Sequence, residues 1–317
     1  MRVAIVHDWL GPMTGAERVL AEMLRCYPGA DVFTAVDFLP AEHRHHLQGA
    51  RVHTSFVQRL PRARTHYWHY VPLMALGVEQ FDLAPYDLVI SSSHAVAKGA
   101  IAHPHAVHLA YVHSPMRFVW DLQAEYVRDF GLARGVKGRL ARLAFAGLRA
   151  WDATTAARPD AMLANSRFVA RRIQQCYRRD AAVLYPPLDV DYWAPAGADP
   201  DAGREDFYLA ASRLTPFKAL DALVAAFAET PGRRLVVIGD GPERRRLAAT
   251  ATPNVTLLGW QPDGVLRDHM RRARAFLFAA VEDFGLVMAE AQADVKQRWT
   301  LYEHLATLLE PEVVTQE

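Results

Sequence analysis

The chain is poor in cysteine, in net charge and in long apolar runs, and each shortage removes a class of protein. Cys26 and Cys176 are the two cysteines among 317 residues. They lie far apart, so no disulfide framework is expected and a reducing compartment fits. Lys and Arg number 36 against 35 Asp and Glu, a formal charge of +1, so no global field points to nucleic acid as a partner. No uninterrupted apolar stretch approaches the ~20 residues that a membrane span needs. The opening MRVAIVHDWL turns polar too soon for a signal peptide, and a cytoplasmic location is the expectation. Repeats and low-complexity segments are lacking too. With 51% hydrophobic and 22% charged residues, the chain reads as globular with a sizeable core, as one large domain or two ordinary ones.

Residues 2–7 are nearly all apolar, as in a strand buried on both faces. A loop holding Gly11 and Gly15 follows. Ala16, Val19, Leu20, Met23, Leu24 and Tyr27 then recur at helical spacing. A second strand over 32–36 completes a βαβ opening, the start of a doubly wound α/β domain. Further strands are expected at 87–91, 107–112 and 161–164. His113 directly follows the 107–112 strand, at the carboxyl end where open α/β sheets bind ligands; a lone histidine there is equally at home in a structural role. Asn165-Ser166 sits where a cap for a helix from about Arg167 belongs. Two basic stretches stand out. RLPRARTHYWHYVPLM, 59–74, interleaves cations with aromatics and suits nucleic acid, lipid or sugar, or a surface loop whose aromatics pack inward. In 134–151, Leu140, Leu143, Ala144, Leu148 and Trp151 share a helical stripe beside Arg139, Arg142 and Arg149. Such a helix lies on an anionic membrane surface or packs on its own domain.

Pro, Gly and Asp dominate 185–205, a domain boundary. Asp189-x-Asp191 imitates a metal motif, but in a Pro-rich connector without a supporting cluster, so no metal is expected. Strands follow at 207–211, 235–238 and 255–258, with a helix over 265–274. Arg213 and Lys218 lie at a strand-to-helix junction, where a guanidinium and an ammonium suit a phosphate, though two solvated cations would look the same. Gly239-Asp240-Gly241-Pro242 lacks the third glycine of a dinucleotide fingerprint, which disfavours a dehydrogenase. The apolar run 275–281 has strand length. Next comes EDFGLVMAEAQA, 282–293: an acidic loop with Glu282, then Gly285-Leu286 opening a helix that carries Glu290. A helix start with glycine offers unpaired N–H groups and the positive dipole end to a phosphate; an ordinary acidic first turn is the plain alternative.

The spacing Glu-x7-Glu around Phe-Gly-Leu resembles the signature of the GT-B retaining glycosyltransferases, family 4. The Arg213-x4-Lys218 pair, the Gly239-x-Gly241-Pro turn, His113-Ser-Pro-Met-Arg and the Gly15-Ala-Glu17 turn are similar to motifs of that family in the same order. The resemblance implies an α/β fold of two Rossmann-like domains facing a cleft: residues 1–187 on the acceptor side, and 188–293 binding a nucleotide sugar. It implies that Glu282 lies by the donor sugar and Glu290 by the ribose. The amides of Gly285 and Leu286 would face the diphosphate, Arg213 and Lys218 would contact it, and Gly239 and Gly241 would line the donor. His113 would touch the donor sugar or the acceptor, and Gly15 and Glu17 would lie near phosphate and acceptor. The implied reaction moves a hexose, mannose among the candidates, from a GDP- or UDP-sugar to a glycan or lipid-linked acceptor in polysaccharide or glycolipid biosynthesis. Retention, no metal and peripheral contact with the inner membrane face go with it. A nucleotide-sugar epimerase on a similar scaffold does not carry the Glu-x7-Glu stretch.

The resemblance stops at Ala293. The family continues with a further strand, a Gly-Gly turn and helices, whereas this sequence reads DVKQRWTLYEHLATLLEPEVVTQE. Val295, Trp299, Tyr302, Leu305 and Leu309 make an amphipathic stripe, so a helix over 294–309 ending before Pro311 is expected. The second domain is then incomplete, its edge covered by this tail or by a partner. The alternative is an inactive remnant that at most binds nucleotide.

Overall fold

The structure is a computed structural model that describes residues 1–11, 13–129, 131, 134–194 and 204–293. The expected 294–309 helix lies outside the described residues. The chain divides into two compact units, Met1–Pro187 and Leu188–Glu317.

The first unit runs β1 Val3–His7, α1 Gly15–Cys26, β2 Asp31–Thr34, β3 Val52–Thr54, α2 Ala63–His66, α3 Val71–Glu79, β4 Leu88–Ser93, β5 Val107–Val112, α4 Gln123–Asp129, α5 Gly135–Thr155, β6 Ala161–Ala164, α6 Arg167–Tyr177 and β7 Ala182–Val183. Its strands form one parallel sheet in the order β3-β2-β1-β4-β5-β6-β7. Every residue of β1 and β4 is buried, as both faces are covered. Side-chain alternation divides the apolar set: Val3 and Ile5 pack with Leu20 and Leu24 of α1, while Ala4 and Val6 pack with Met74 and Val78 of α3 and Leu148 of α5. The helix starts obey local chemistry. Ser166 accepts from the Val169 amide at 3.0 Å and caps α6. Thr14 and Glu17 form a capping box at α1.

The second unit runs α7 Val190–Trp193, β8 Phe207–Ala211, α8 Leu220–Ala228, β9 Arg234–Ile238, α9 Arg244–Thr250, β10 Val255–Gly259, α10 Asp263–Arg272, β11 Ala275–Phe276 and α11 Leu286–Ala293. Its parallel sheet has the order β10-β9-β8-β11. One face packs on Leu220, Leu223, Val224 and Phe227 of α8, the other on Trp193, Met270 of α10 and Ala291 of α11. Asp189 uses its carboxylate to cap α7, accepting from the Tyr192 amide at 2.9 Å.

Two expectations need correction. The apolar run 275–281 is not a seven-residue strand. Only Ala275–Phe276 join the ladder, followed by one bond from Leu277 N–H to the Leu209 carbonyl at 2.7 Å. The rest turns away to deliver the Glu282 loop. The stretch 59–74 is not a loop: α2, a 3-10 turn and the start of α3 bury Val71 and Met74 and lay Tyr67 and Tyr70 against the core.

A fully buried ion pair fastens the first unit. Lys98 Nζ contacts Asp152 Oδ1 of α5, and both side chains are out of solvent. Asp152 Oδ2 also accepts from Trp120 Nε1 and from the Tyr177 hydroxyl, each at 2.8 Å. The ammonium lies 5.3 Å from the Trp151 ring and 5.1 Å from that of Tyr177. Removing one member leaves an uncompensated buried charge, which costs about 3–5 kcal/mol. Lys98→Met is therefore expected to lower the unfolding free energy in urea by about that amount, and adding Asp152→Leu should recover part of the loss. A single variant as stable as the parent would refute this account.

Candidate functional site

In the first unit, strand register builds a polar cluster at the carboxyl edge of the sheet. The strand order reverses direction between β1 and β4, so this edge is the topological switch point. His7 is paired in register with Ser92, and Ser93 with Val112, the residue before His113. The Ser92 hydroxyl sits between two imidazoles, 3.0 Å from His7 Nδ1 and 2.8 Å from His113 Nε2. A hydroxyl has one proton to give, so it donates to one ring and accepts N–H from the other. The His113 carbonyl accepts from Asn165 Nδ2 at 2.9 Å. Arg172 of α6 holds the following loop through Ser114 Oγ at 2.7 Å and Asp121 Oδ1 at 2.5 Å.

Asp8 completes the cluster. Its buried carboxylate accepts four backbone N–H bonds, from His94 (2.5 Å) and Ala95 (3.0 Å) on Oδ2 and from Val96 and Ala97 (2.6 Å each) on Oδ1. His94 Nδ1 lies 2.9 Å from Oδ2. Burial by itself would raise the Asp8 pKa, but the His94 ring and the backbone bonds outweigh it and hold the carboxyl well below the usual range. Burial first, then the neighbouring His94 and His7 rings, push His113 down to about 3. His7 is lowered as well, chiefly by burial. His113 is thus a neutral imidazole at physiological pH. A group of such low basicity is a poor general base, and its Nε2 is engaged with the Ser92 hydroxyl.

Gly15 and Glu17 stand at the start of α1. Glu17 Oε2 accepts from the Thr14 N–H at 3.0 Å and from the Thr14 hydroxyl, so its carboxylate already has a structural task.

In the second unit, the switch point lies between β8 and β11, and the loops leaving these two strands meet. Lys218 Nζ contacts Glu282 Oε1, and the Phe217 and Phe278 rings lie 5.7 and 5.8 Å from the ammonium. Lys218 is directed by its neighbour: Ala219 adopts φ +50, the left-handed region unusual for a residue with a Cβ. Arg213, two residues past β8, is exposed. Gly239 and Gly241 have a steric reason to be glycine. A Cβ at Gly239 would stand 1.9 Å from the Ser212 carbonyl oxygen, and one at Gly241 2.3 Å from that of Leu214. The two glycines let the loop carrying Arg213 lie against the β9 loop, bonded through Leu214 N–H to the Asp240 carbonyl at 2.9 Å.

Gly285, at φ +78, opens α11: its carbonyl accepts from the Met288 and Ala289 amides at 2.9 and 3.2 Å. Helix geometry leaves the N–H groups of Leu286 and Val287 without intrahelical partners, at the positive end of the dipole. Glu290 is buried in this helix. Lys218, Glu282 and the α11 start therefore gather at one edge, an arrangement with the charge and donors to take a diphosphate. Among the described residues no group of His, Cys, Asp or Glu could hold a metal ion, and no helix is long and apolar enough to cross a membrane.

Asp8, Ser92 and His94 were missed in the sequence. The available signal was polar residues ending apolar strands, His7-Asp8 after β1 and Ser91-Ser92-Ser93-His94 closing β4.

Because His113 and His7 stay neutral in the folded state while unfolded histidine protonates near 6.5, the unfolded chain binds more protons below that pH. Stability is therefore expected to fall as pH drops from 6.5 towards about 3, by about 1.4 kcal/mol per pH unit through His113, with His7 acting in the same direction. Asp8 adds its own loss only below its unfolded value of 3.8. Urea unfolding across this range should show a shallower slope in His113→Asn; an unchanged slope would contradict a buried neutral His113.

Residues 206–294 match the family Glycosyl transferases group 1. D-inositol 3-phosphate glycosyltransferase of Mycobacterium sp. (strain KMS) is 31% identical over 42% of this chain and 35% of the relative. Its counterpart in Mycolicibacterium smegmatis is 30% identical over 42% of this chain and 36% of its own length. The chain thus spans about a third of the length of the curated relatives it matches. Among solved structures, Anabaena HepE in complex with UDP covers 92% of this chain and 78% of its own at TM-score 0.62 and 18% identity. Sucrose-phosphate synthase from Thermosynechococcus elongatus covers 92% and 79% at TM-score 0.61 and 16% identity. The fold is accordingly GT-B, an α/β architecture with a seven-stranded and a four-stranded parallel sheet, and the family match falls on residues 206–294 of the second unit.

Proposed function

We propose that this protein is a retaining glycosyltransferase that moves a hexose from a nucleoside diphosphate sugar to a glycan or lipid-linked acceptor at the cytoplasmic face of a membrane. The observation that carries the reading is the meeting of Lys218, Glu282 and the amino end of α11 at the β8/β11 switch point, inside the segment that matches the family. Support for the donor class comes from HepE, solved with UDP, and for the reaction from the relatives named as glycosyltransferases.

In this reading the bond between the anomeric carbon and the diphosphate oxygen breaks, and negative charge grows on the leaving diphosphate. Arg213, Lys218 and the amides of Gly285 and Leu286 take up that charge without a metal. Glu282 lies by the sugar and modulates Lys218, Glu290 holds the ribose, and Gly239 and Gly241 shape the donor loop. The acceptor oxygen attacks the face that the diphosphate leaves. His113 offers a neutral imidazole to a sugar hydroxyl, and Gly15 and Glu17 set the α1 turn beside it.

Calorimetric titration with UDP and GDP in parallel is expected to show binding of one of them. Arg213→Ala and Lys218→Ala should each weaken it about 10- to 100-fold, the worth of a charged hydrogen bond to phosphate. Glu282→Gln removes an anion beside the diphosphate, so nucleotide binding should hold while sugar transfer is lost. Failure of a folded protein to bind either nucleotide, or binding indifferent to Arg213, would sink the proposal.

A further inference from the structure

Two side chains at the carboxyl edge of the first sheet stay open where everything beside them in sequence is buried. From Val3 to Gly11 the one residue that is not buried is Trp9. From Leu88 to Ala100 the one residue that is not buried is His94. They follow different strands, β1 and β4, yet their rings meet edge to face, with centroids 4.4 Å apart and planes at 88°. Burial that is complete on both segments except at one shared point singles that point out.

Both side chains stand on fixed backbone. The residues beside Trp9 are tied to the segment after β2: the Ala35 N–H donates to the Asp8 carbonyl at 3.1 Å and the Leu10 N–H to the Val36 carbonyl at 2.9 Å. Alternation sends Leu10 into one core cluster and lays Trp9 against the other. His94 is held twice by Asp8 Oδ2, through its N–H at 2.5 Å and with Nδ1 at 2.9 Å. A carboxylate only accepts, so it favours the ring proton on Nδ1. Partly open Tyr67 lies 5.8 Å from Trp9, and Phe38 lies 6.1 Å from Tyr67, extending the aromatic array. Trp120 and Trp151 each give their indole N–H to a carboxylate, at 2.8 and 2.9 Å, whereas no hydrogen bond joins Trp9 Nε1 to another described residue.

The geometry points to a carbohydrate subsite in the first unit: the pyranose ring of the acceptor lies on Trp9, and His94, fixed by Asp8, bonds one of its hydroxyls through Nε2. A pyranose is apolar on its C–H faces and polar around its rim. An indole open to solvent suits the face; the indole N–H and an imidazole standing at right angles to it suit the rim. An acyl chain has no use for His94, and a bare phosphate has none for the indole. The inference rests on the transfer reading and narrows it: the acceptor presents a sugar, and Trp9 and His94 select it by the placement of its hydroxyls.

The test is saturation-transfer NMR of the full chain with the methyl pyranosides of glucose, galactose, mannose and N-acetylglucosamine, and with glycerol phosphate and uridine as controls. At least one pyranoside is expected to bind, with a dissociation constant on the order of millimolar for so small a ligand, and neither control. Trp9→Leu keeps an apolar side chain without a ring and should abolish binding, while Trp9→Phe should retain it. His94→Ala should weaken it about three- to tenfold, the worth of one neutral hydrogen bond. A parent labelled with 5-fluorotryptophan gives a check that depends on no variant's stability: the pyranoside should shift the fluorine signal that Trp9→Phe lacks. No pyranoside binding by the folded parent, an unmoved Trp9 signal, binding indifferent to Trp9→Leu or to His94→Ala, or preference for a control would overturn the inference. Nucleotide titration of the parent is read separately. Nucleotide bound without any pyranoside would overturn this inference and leave the transfer reading standing; pyranoside bound without nucleotide would do the reverse.

Discussion

The carboxylate of Asp8 is the constraint on which the first unit turns. An ionised carboxylate out of water is unstable unless its lone pairs are filled. Four consecutive amides, from His94 to Ala97, fill those of Asp8. That requirement fixes the path of the chain after β4: the segment must curl its N–H groups around the end of β1. The curl leads directly into Lys98, whose ammonium faces the buried Asp152 and the Thr155 hydroxyl. Two buried charges of opposite sign, each satisfied by a different part of the chain, thus bracket one turn. Between them the turn places His94 beside Trp9, ring centroids 4.4 Å apart, and leaves Ser92 able to link His7 and His113. The polar cluster at the sheet edge follows from the way β1 and β4 are tied together.

The second unit solves the same problem by sterics. Its critical loops come off β8, β9 and β11, and they approach each other at distances that exclude a Cβ at Gly239 and Gly241. Backbone bonds from Ser212 N–H to the Ile238 carbonyl and from Leu214 N–H to the Asp240 carbonyl, 3.1 and 2.9 Å, then lock the loop that bears Arg213. The left-handed Ala219 turns the chain sharply after Lys218 and costs about a kilocalorie or more where a glycine would not. Strain of this kind persists where the surroundings over-determine the conformation. Here they include the Lys218–Glu282 contact on one side and the packed start of α8 on the other.

These two solutions explain what could be read from the sequence. The buried strands β1, β4, β5, β8 and β9 were legible because a parallel strand covered on both faces is a short apolar run. Helices α1, α5 and α6 were legible from period and caps. β3 and β7, three and two residues long, carry too few apolar residues to stand out. β11 was overestimated because residues 277–281 keep strand composition after leaving the ladder. The hydrophobic content of 59–74 was visible, but its Pro and cations obscured the start of α3. The Gly239 and Gly241 positions could be picked out by motif, yet their reason, contact with carbonyls of another loop, exists only in three dimensions. Asp8 and Ser92 were invisible for a related reason. Asp8 meets its amide partners across 86 to 89 positions, and strand register, not spacing, assembles that set.

The difference in range also accounts for where family likeness concentrates. In the second unit the residues that meet at the switch point lie between 213 and 290, within one stretch that a sequence comparison can align, and the family match falls on 206–294. In the first unit the cluster is spread over β1, β4 and β5, from His7 to His113, with Asp152 further still. Each contributing segment is short, and the intervening helices face different surroundings: α1 packs into the core, while the amino half of α5 stands in solvent. A fold shared at 18% identity over 92% of the chain, beside a family match that falls on 206–294, fits this division.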